Sequence, residues 1–473
     1  MKNKKTKVLL VVAGDLFVRN YIRSGVAKKL SEKFEFSVIA NGACSLKSDL
    51  EDTPNFSGYF NTNPKHEAAH YQYFTLLIFR FRHRSKTFPF RLKRDIGWHL
   101  PSERYSQFKK LALIFKKGKK GKRCRRCVFL GNRLIFKFLK SKIEATLPVN
   151  EDLQRQIDEI QPDVVLFPSS AYDPIGNDVA RICSRLGIKS VYLIDNWDNL
   201  SSKSVFWARP DFLGVWSEQH KEHAIRIHDF ESSKVYPIGT PRFDNYFSQR
   251  GATKSNPFDF PYVVFSGCCL PFDETTPLKA IDKEIQEHPD IYKELRIVYR
   301  PHPWRQLRSR EEPFIESEFS HVVIDPQIRD QFLSNSKQMS EQVSFQPSTD
   351  YYPLLLDNAE FVCGPLTTFL IESLIFNKHY MGLSYNDGTH LTSPHNAFKY
   401  YEMYEGIDQH PGITLVHHSE KIIESFRGIF ASYTASNQEY KKWDQALSYY
   451  LKIDEAPYIQ RLTQLIEAVD VHR

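Results

Sequence analysis

Short apolar runs alternate with segments of helical periodicity along this chain, and that alternation most limits the folds open to it. The order strand, helix, strand is predicted twice in the amino-terminal half, over 8–13, 17–30 and 36–40 and again over 163–168, 175–186 and 190–194. Strands separated by helices are typical of a parallel sheet that carries helices on both faces. The sequence therefore predicts an α/β fold built on doubly wound parallel sheets.

The length of the chain predicts two domains. Its 473 residues exceed the size at which one hydrophobic core keeps growing, and 41% of them are hydrophobic, which is enough for globular cores. A polar segment rich in turn-forming residues, 248–257, precedes a new apolar strand over 262–266. We expect an amino-terminal domain over 1–248, a carboxy-terminal domain over 257–435, and terminal helices over 436–473.

A first polar motif, Arg300-Pro-His-Pro303, closes an apolar run. An arginine presents a fixed fork of donors that suits phosphate oxygens, and a histidine can donate a hydrogen bond near neutral pH. The two prolines stiffen the loop that carries Arg300 and His302. An ordinary turn at a strand end, with a surface histidine, is the alternative, and for this motif alone both interpretations stay open.

A second motif, Gly364-Pro-Leu-Thr-Thr-Phe-Leu-Ile-Glu372, follows a short predicted strand and opens a predicted helix over 367–376. A phosphate at such a helix start meets free backbone N–H groups and the hydroxyls of Thr367 and Thr368. Glu372 lies one turn further along, roughly 5–6 Å away, which is about the reach from a phosphate to ribose hydroxyls. Together the two motifs predict one pocket for a nucleotide monophosphate or diphosphate.

Both motifs resemble, in kind and order, the His-Pro and Ser/Thr motifs of bacterial surface-polysaccharide transferases. That group includes polysialyltransferases, capsule-type Kdo transferases and CDP-glycerol glycerophosphotransferases. The resemblance implies a GT-B fold, in which two Rossmann-like domains face a cleft and the terminal helix crosses back to the first domain. Leu366-Thr-Thr368 stands where a Ser-Ser or Ser-Thr pair is commoner, so the base and sugar of the donor do not follow from it.

The same resemblance implies which residues hold a nucleotide-activated donor. They are Arg300, His302, Gly364, Thr367, Thr368 and Glu372, with Ser266 and Gly267 at the first strand-to-helix loop of the second domain. The implied reaction moves a sugar from a CMP-, UDP- or similar donor to a growing surface polysaccharide or lipopolysaccharide. Transfer of a polyol phosphate from a CDP-alcohol stays open, and so does a non-catalytic protein bound to a membrane or a nucleic acid.

Glycosyl transfer with inversion needs a general base near the acceptor hydroxyl, and the departing phosphate needs stabilisation. Polar residues follow the predicted strands, where parallel sheets bind ligands, and supply the candidates Asp198, Asp195 and Asp15, in that order, with His302 from the donor motif. For each single aspartate, capping a turn or a helix is the commoner role. Since no Asp-x-Asp motif or calcium-loop spacing occurs, we expect no metal ligands and no metal requirement.

Positive charge is concentrated in one part of the chain. Fourteen lysines and arginines lie from Lys109 to Lys142 with no acidic residue among them, while the whole chain carries +8, so the remainder sums to 8 − 14 = −6. Large apolar residues are interleaved with them over a predicted insertion at about 79–142, a combination that suits an anionic membrane surface. A nucleic-acid surface and a solvated insertion stay open as alternatives.

The cysteines and the apolar runs bear on the compartment. Seven cysteines, an odd number, speak against a disulfide framework, and Cys124 and Cys127 form a lone CxxC with no second pair for a zinc site. No apolar run approaches the roughly 18 residues of a membrane-spanning helix, and the lysine-rich start runs directly into the first strand. We expect a cytoplasmic protein, peripheral at the inner face of the plasma membrane.

Overall fold

The computed structural model describes residues 5–99, 112, 116–251, 256–303, 314–334, 348–435, 440–454 and 456–471. The chain forms two compact units, unit 1 (Met1–Pro241 with Tyr450–Arg473) and unit 2 (Arg242–Tyr449). Parts of three predicted segments lie outside the described residues: 100–111 and 113–115 of the basic insertion, 252–255 of the domain boundary, and 436–439 at the start of the terminal helices.

Unit 1 contains a seven-stranded sheet in which neighbouring strands are parallel. In chain order its strands are β1 (Lys7–Val12), β2 (Glu35–Asn41), β3 (Phe56–Phe60), β4 (Val164–Ser169), β5 (Lys189–Ile194), β6 (Phe212–Val215) and β7 (Val235–Pro237). Their spatial order is β3-β2-β1-β4-β5-β6-β7, so the chain reverses direction across the sheet between β1 and β4. Ligands of doubly wound sheets bind beyond the carboxyl ends of the strands at such a reversal.

Helices connect these strands. They are α1 (Asp15–Phe17), α2 (Val26–Lys33), α3 (Lys47–Glu51), α4 (Pro64–Arg80), α5 (Thr87–Ile96), α6 (Lys119–Leu130), α7 (Arg133–Thr146), α8 (Glu151–Ile160), α9 (Pro174–Leu186), α10 (Asn199–Ser202) and α11 (Glu218–His228). Helix α12 (Pro241–Gln249) follows β7 and belongs to unit 2 from Arg242 onward. Five of these helices, α4 to α8, lie between β3 and β4. The predicted basic insertion is therefore part of a longer helical insertion between these two strands.

Unit 2 contains a six-stranded parallel sheet. Its strands are β8 (Tyr262–Ser266), β9 (Arg296–Arg300), β10 (Val322–Ile324), β11 (Val362–Pro365), β12 (Tyr380–Leu383) and β13 (Ile413–Val416), in the spatial order β10-β9-β8-β11-β12-β13. Its helices are α13 (Thr275–Glu287), α14 (Pro289–Tyr292), α15 (Pro326–Ser334), α16 (Tyr351–Asn358), α17 (Phe369–Ile375), α18 (Pro394–Tyr400), α19 (Ile422–Ala435) and α20 (Tyr440–Leu447). The strand order again reverses once, here between β8 and β11.

The packing of β1 shows why these apolar runs form covered strands. Val8, Leu10 and Val12 lie in one hydrophobic cluster, whereas Leu9 and Val11 lie in another. Because side chains alternate between the two faces of a strand, each residue of this run is buried on one face or the other. The prediction of doubly wound parallel sheets is confirmed.

The last helix, α21 (Tyr458–Val471), belongs to unit 1. Its apolar residues Tyr458, Leu462 and Leu465 lie in the same cluster as the even-numbered residues of β1. Among the described residues, none of the helices combines the length and the apolar character that crossing a bilayer requires.

The helix predicted over 17–30 is not continuous. The structure has α1, then six residues of π-helix over Val18–Arg23, and then α2, which starts after Gly25. Gly25 has a φ of +80°, a left-handed conformation that interrupts an α-helix and that glycine adopts with little cost. Hydrophobic periodicity alone does not reveal this interruption, because the apolar residues on both sides of it are still buried.

Candidate functional site

The strand reversal of unit 2, which we call the switch point, brings two predicted donor-binding residues into direct contact. Ser266 ends β8 and Gly364 lies in the neighbouring strand β11. A β-carbon on Gly364 would lie 2.3 Å from the carbonyl oxygen of Ser266, and the φ of Gly364 is +142°. Only glycine fits there, because both the space and the backbone conformation exclude a side chain.

Gly267 joins the switch point to the Arg300-Pro-His-Pro303 loop. Its N–H donates to the carbonyl oxygen of Arg300 at 2.8 Å, and a β-carbon on it would lie 3.1 Å from the backbone nitrogen of His302. The same β-carbon would lie 2.6 Å from Oε2 of Glu274, whose Oε1 accepts from the N–H of Cys268 at 2.8 Å. The loop therefore lies directly on Gly267, and His302 is half-buried beside it.

The Arg300 side chain lies against two aromatic rings. Its guanidinium carbon lies 4.4 Å from the ring centre of Tyr352 and 5.2 Å from that of Phe369. Its Nε is buried and has no hydrogen-bond partner among the described residues. Burial alone would lower the pKa of Arg300, but Tyr352, Asp325 and Glu372 outweigh it and raise that pKa. The guanidinium is thus a positioned, permanently charged donor with unused capacity.

Asp325, at the carboxyl end of β10, is part of the surroundings of Arg300 that the sequence analysis missed. Its Oδ1 accepts from the hydroxyl of Tyr351 at 2.7 Å and from the N–H of Gln327 at 3.0 Å. Its Oδ2 is buried and has no hydrogen-bond partner among the described residues. Burial raises the pKa of this carboxyl group. The one available signal was its position directly after a short apolar run.

The two predicted threonines precede their helix instead of opening it. Helix α17 begins at Phe369 and has seven residues, so the predicted helix over 367–376 is too long at both ends. The Thr367 hydroxyl accepts from the N–H of Phe369 at 3.2 Å, and Thr368 is half-buried. Tyr404 donates its hydroxyl to the carbonyl oxygen of Leu366 at 2.7 Å and so holds the turn before the threonines.

Glu372 is buried and already paired. Oε1 accepts from the Arg242 guanidinium, and Oε2 accepts from the hydroxyl of Tyr246 at 2.7 Å. Both partners lie on α12, far from Glu372 in the sequence, and no local pattern points to them. A ribose hydroxyl could bind this carboxylate only by sharing it with Arg242 and Tyr246.

In unit 1, Asp15 follows β1 at the other strand reversal. Its carboxylate accepts from the N–H and hydroxyl of Ser45, at 2.8 and 2.5 Å, and from the N–H of Leu46 at 3.2 Å. It therefore fixes the loop that follows β2, which is the turn-capping role considered above. The buried side chain leaves little of the carboxylate exposed for an acceptor.

Asp195 and Asp198 follow β5 and differ in their partners. The buried Asp195 carboxylate accepts twice from the side-chain amide of Asn20, at 3.0 and 3.1 Å. Asp198 accepts from the Ser202 hydroxyl and pairs with the Lys203 ammonium, each at 2.8 Å. Burial would raise the pKa of Asp198, but the charge and hydrogen bond of Lys203 hold it below its usual value. A carboxylate with a lowered pKa is a weaker general base.

The basic insertion presents an exposed apolar face. On α6 and α7, the side chains of Phe129, Leu134 and Phe138 are 63%, 68% and 75% exposed. Lysines and arginines surround them on the same two helices. The CxxC cysteines of α6, Cys124 and Cys127, are instead buried in the hydrophobic cluster beneath it. Exposed apolar side chains among cations are a feature that binding surfaces share.

Comparison with known proteins finds similar folds but no relative in sequence: no protein-family model and no curated protein matches the chain. UDP-GlcNAc 2-epimerase from Neisseria meningitidis, solved with UDP-GlcNAc, matches with a TM-score of 0.50 and 11% identity, over 98% of this chain and 100% of that one. The epimerase from Methanocaldococcus jannaschii matches with 0.48 and 13%, over 98% and 99%. The glycotransferase of kitacinnamycin matches with 0.47 and 10%, over 98% and 99%.

At these identities the likeness concerns the fold alone. The two sheets and their strand orders agree with it, since each unit is a doubly wound parallel sheet that reverses once. The predicted fold class is confirmed: the chain has the α/β architecture of the GT-B fold, with two Rossmann-like domains.

Proposed function

We propose that this protein is a glycosyltransferase that moves a sugar from a nucleotide-activated donor to a hydroxyl of a surface-polysaccharide or lipopolysaccharide acceptor. The observation that carries the proposal is the Arg300 guanidinium, which lies against two rings and has a buried Nε with no hydrogen-bond partner among the described residues. It lies at the end of β9, next to the switch point where doubly wound sheets bind nucleotides. The Neisseria epimerase of similar fold, solved with UDP-GlcNAc, supports a nucleotide sugar as the ligand.

In this proposal Arg300 and His302 bind the phosphate that becomes the leaving group. Positioned donors stabilise charge as it develops on a departing phosphate, and they cost little reorganisation when they are already fixed. The ring contacts of Arg300 and the prolines on either side of His302 supply that fixation. The hydroxyls of Thr367 and Thr368 would complete the anion site, and Glu372 would bind the ribose.

The general base is proposed among the three aspartates of unit 1. Asp198 is paired with Lys203, which lowers its pKa, and Asp195 accepts from the amide of Asn20. Asp15 is least suited because backbone N–H groups occupy it. Single Asp→Asn variants of the three, assayed for turnover with donor binding as the control, would rank them.

Nucleotide binding is the first test of the proposed function. Thermal stability of the full chain is measured with CMP, CDP, UDP and GDP, because a ligand that binds the folded state raises the melting temperature by mass action. One of the four should raise it in a concentration-dependent way. If none does, the donor pocket is wrong, and a non-catalytic role replaces the proposal.

The products then distinguish the possible reactions. A transferase releases free nucleotide and lengthens an added glycan acceptor, whereas an epimerase converts the nucleotide sugar to an isomer without needing an acceptor. Transfer of polyol phosphate from a CDP-alcohol would release CMP and add phosphate to the acceptor, whereas sugar transfer adds no phosphate. We propose that transfer proceeds in the presence of EDTA, and loss of turnover that Mn²⁺ or Mg²⁺ restores would contradict this.

The acceptor proposal rests on the exposed face of α6 and α7. We propose that this face binds an anionic membrane surface, so that the enzyme reaches a lipid-linked acceptor at the inner leaflet. Each lysine or arginine near anionic headgroups contributes about 1 kcal/mol, and Phe129, Leu134 and Phe138 add apolar insertion. The alternating charge and apolar surface fits lipid better than a nucleic acid, which requires no exposed aliphatic side chains.

A further inference from the structure

Two histidines and an aspartate of unit 1 meet in the protein interior, and none of them is among the residues assigned above. His66 and His70 are one turn apart on α4, and Asp178 lies on α9. All three are buried, and one potential ligand atom from each lies within 4.8 Å of the other two. We call these three residues the His-His-Asp cluster.

The hydrogen bond of one His70 nitrogen determines what its other nitrogen offers. Nδ1 lies 3.0 Å from the carbonyl oxygen of His66, which can only accept, so Nδ1 carries the proton. In the neutral ring Nε2 then has a lone pair, and it faces Oδ1 of Asp178 at 3.6 Å. Both atoms are buried and lack a hydrogen-bond partner among the described residues. Two acceptors that face each other in the interior repel unless a cation lies between them.

The surroundings of His66 have the same character. Its Nε2 lies 2.9 Å from Oδ2 of Asp178 and 3.0 Å from the carbonyl oxygen of Pro148. Asp178 Oδ2 also accepts from the N–H of Asn150 at 3.1 Å, which orients the carboxylate. The cation described nearest to Asp178 Oδ1 is the guanidinium of Arg181 at 3.8 Å, a long contact. The same guanidinium donates to the Pro148 carbonyl oxygen at 3.2 Å, so Asp178 Oδ1 is the one of these oxygens without a hydrogen bond among the described residues.

We propose that the His-His-Asp cluster is a binding site for one divalent transition-metal ion, with Zn²⁺ as the ion that fits best. Two imidazole nitrogens and a carboxylate oxygen suit zinc, whereas Mg²⁺ and Ca²⁺ select oxygen ligands. The bond from His70 Nδ1 to a backbone carbonyl is the outer contact that metal-bound histidines usually make. The ion would replace protons on the cluster and join α4, the first helix of the insertion, to α9 beside the sheet.

The test uses the full chain, stripped of metal with a chelator and then dialysed. Titration with Zn²⁺ should load one ion per chain by elemental analysis and raise the melting temperature. Titration with Co²⁺ should give visible absorption bands of nitrogen and oxygen ligands, without the charge-transfer band that a cysteine thiolate would add. Since Co²⁺ spectra are recorded on the wild-type protein, this measurement does not depend on whether a variant folds.

His70→Gln and Asp178→Asn should each lose the Co²⁺ bands and the response of the melting temperature to Zn²⁺. His418→Gln is the matched control, because His418 is an exposed histidine of unit 2 that contacts Glu420. This substitution should leave the Co²⁺ bands and the response to Zn²⁺ unchanged. A wild-type chain that binds no stoichiometric metal, or a His70→Gln variant that keeps its bands, would overturn the proposal. If the wild-type chain binds no metal, a proton on His70 Nε2 takes the place of the ion and bonds to Asp178.

This inference is independent of the proposed function. If the metal only joins α4 to α9, the stripped protein has a lower melting temperature but still responds to nucleotide. A protein that binds zinc but no nucleotide would retain the metal site and lose the transferase proposal. A protein that responds to nucleotide but binds no stoichiometric zinc would retain the transferase proposal and lose the metal site.

Discussion

The carbonyl oxygen of Ser266 lies 2.3 Å from the position that a β-carbon of Gly364 would occupy. The two residues belong to neighbouring strands at the switch point, so their close approach sets the spacing of the loops that carry the predicted donor-binding residues. A residue with a side chain at position 364 must move one strand or the other.

We therefore expect Gly364→Ala to destabilise unit 2 and to abolish nucleotide binding. The strained backbone alone costs about 1–3 kcal/mol, and the steric clash adds to it. Gly388→Ala is the matched control, because Gly388 also has a positive φ, of +75°, but nothing lies within 4 Å of its added β-carbon. Urea unfolding of both variants separates the two contributions, and equal losses would show that the close approach is unimportant.

Arg300 should be required for the nucleotide response. Arg300→Ala removes the charge and the donor fork, and Arg300→Lys keeps the charge but loses the fork, so both should weaken nucleotide binding by at least about tenfold, or ~1.4 kcal/mol. Arg296→Ala is the control, since Arg296 stacks on Phe260 at the other end of the same strand. Isothermal titration with the nucleotide found in the thermal screen measures all three, and unchanged affinity in Arg300→Ala contradicts the donor pocket.

The pair formed by Arg242 and Glu372 should behave as a buried ion pair. Removing one partner leaves the other charge uncompensated, so Arg242→Met alone should cost about 3–5 kcal/mol, while the double variant Arg242→Met/Glu372→Gln should recover much of that loss. Denaturant unfolding of the single and double variants gives the coupling energy. A coupling near zero would mean that the pair does not hold α12 against α17, and Glu372 would then be available to a ribose.

Stability should fall on acidification because of His228. Its Nε2 donates to the carbonyl oxygen of Leu200 at 2.7 Å, while its Nδ1 accepts from the N–H of Phe206 at 3.3 Å, so the folded state has no place for a second proton. Burial lowers the pKa of His228 from 6.5 to about 4. The unfolded chain binds that proton first, so this stability is complete above pH 6.5 and declines as the pH falls towards about 4, by on the order of 3 kcal/mol.

His228→Gln tests this prediction. A glutamine can keep both hydrogen bonds but does not titrate, so its unfolding midpoint in urea should change less than that of the wild type between pH 7.5 and about 5. Because burial also lowers the pKa of His220 to about 4, the variant should keep part of the acid sensitivity. Equal pH dependence in wild type and variant would assign the effect to other groups.

The face of α6 and α7 should bind vesicles that contain anionic lipid. Replacing Phe129, Leu134 and Phe138 with serine should reduce recovery in flotation, and raising the salt concentration should reduce it further because screening weakens the charge attraction. Ile291→Ser is the control, since Ile291 is a similarly exposed apolar residue of unit 2. If neutral vesicles recover as much protein as anionic vesicles do, the electrostatic part of the proposal is wrong.

The sequence predicts best those elements whose residues all face a core. The strand over 262–266 agrees with β8 residue by residue, and the predicted stop at Gly187 is the left-handed residue that ends α9. Strands β3 and β10 escape prediction, because β10 has only three residues and β3 has a serine and a glycine among its aromatic residues. The π-helix escapes it because its hydrophobic residues keep a helical pattern.

In the candidate site, too, some residues are predictable from the sequence and others are not. The glycine, histidine and arginine positions are readable from short motifs, and the structure joins Ser266, Gly267 and the Arg300 loop through backbone contacts. The partners of those residues are not readable, because Asp325 and Arg242 come from distant segments that only the fold brings near. The His-His-Asp cluster combines both cases, since the spacing of His66 and His70 is visible on a helix but Asp178 lies far along the chain.

The π-helix that interrupts the first connection of unit 1 has one further consequence. Its backbone hydrogen bonds join residues five apart instead of four. The segment Val18–Arg23 therefore accommodates one residue more than an uninterrupted α-helix would. Deleting a single residue there would restore α-helical winding and turn Asn20 by about 100° around the axis, away from the Asp195 carboxylate that its amide now contacts. A one-codon deletion in this segment would thus remove the contact that Asn20 makes with the end of β5.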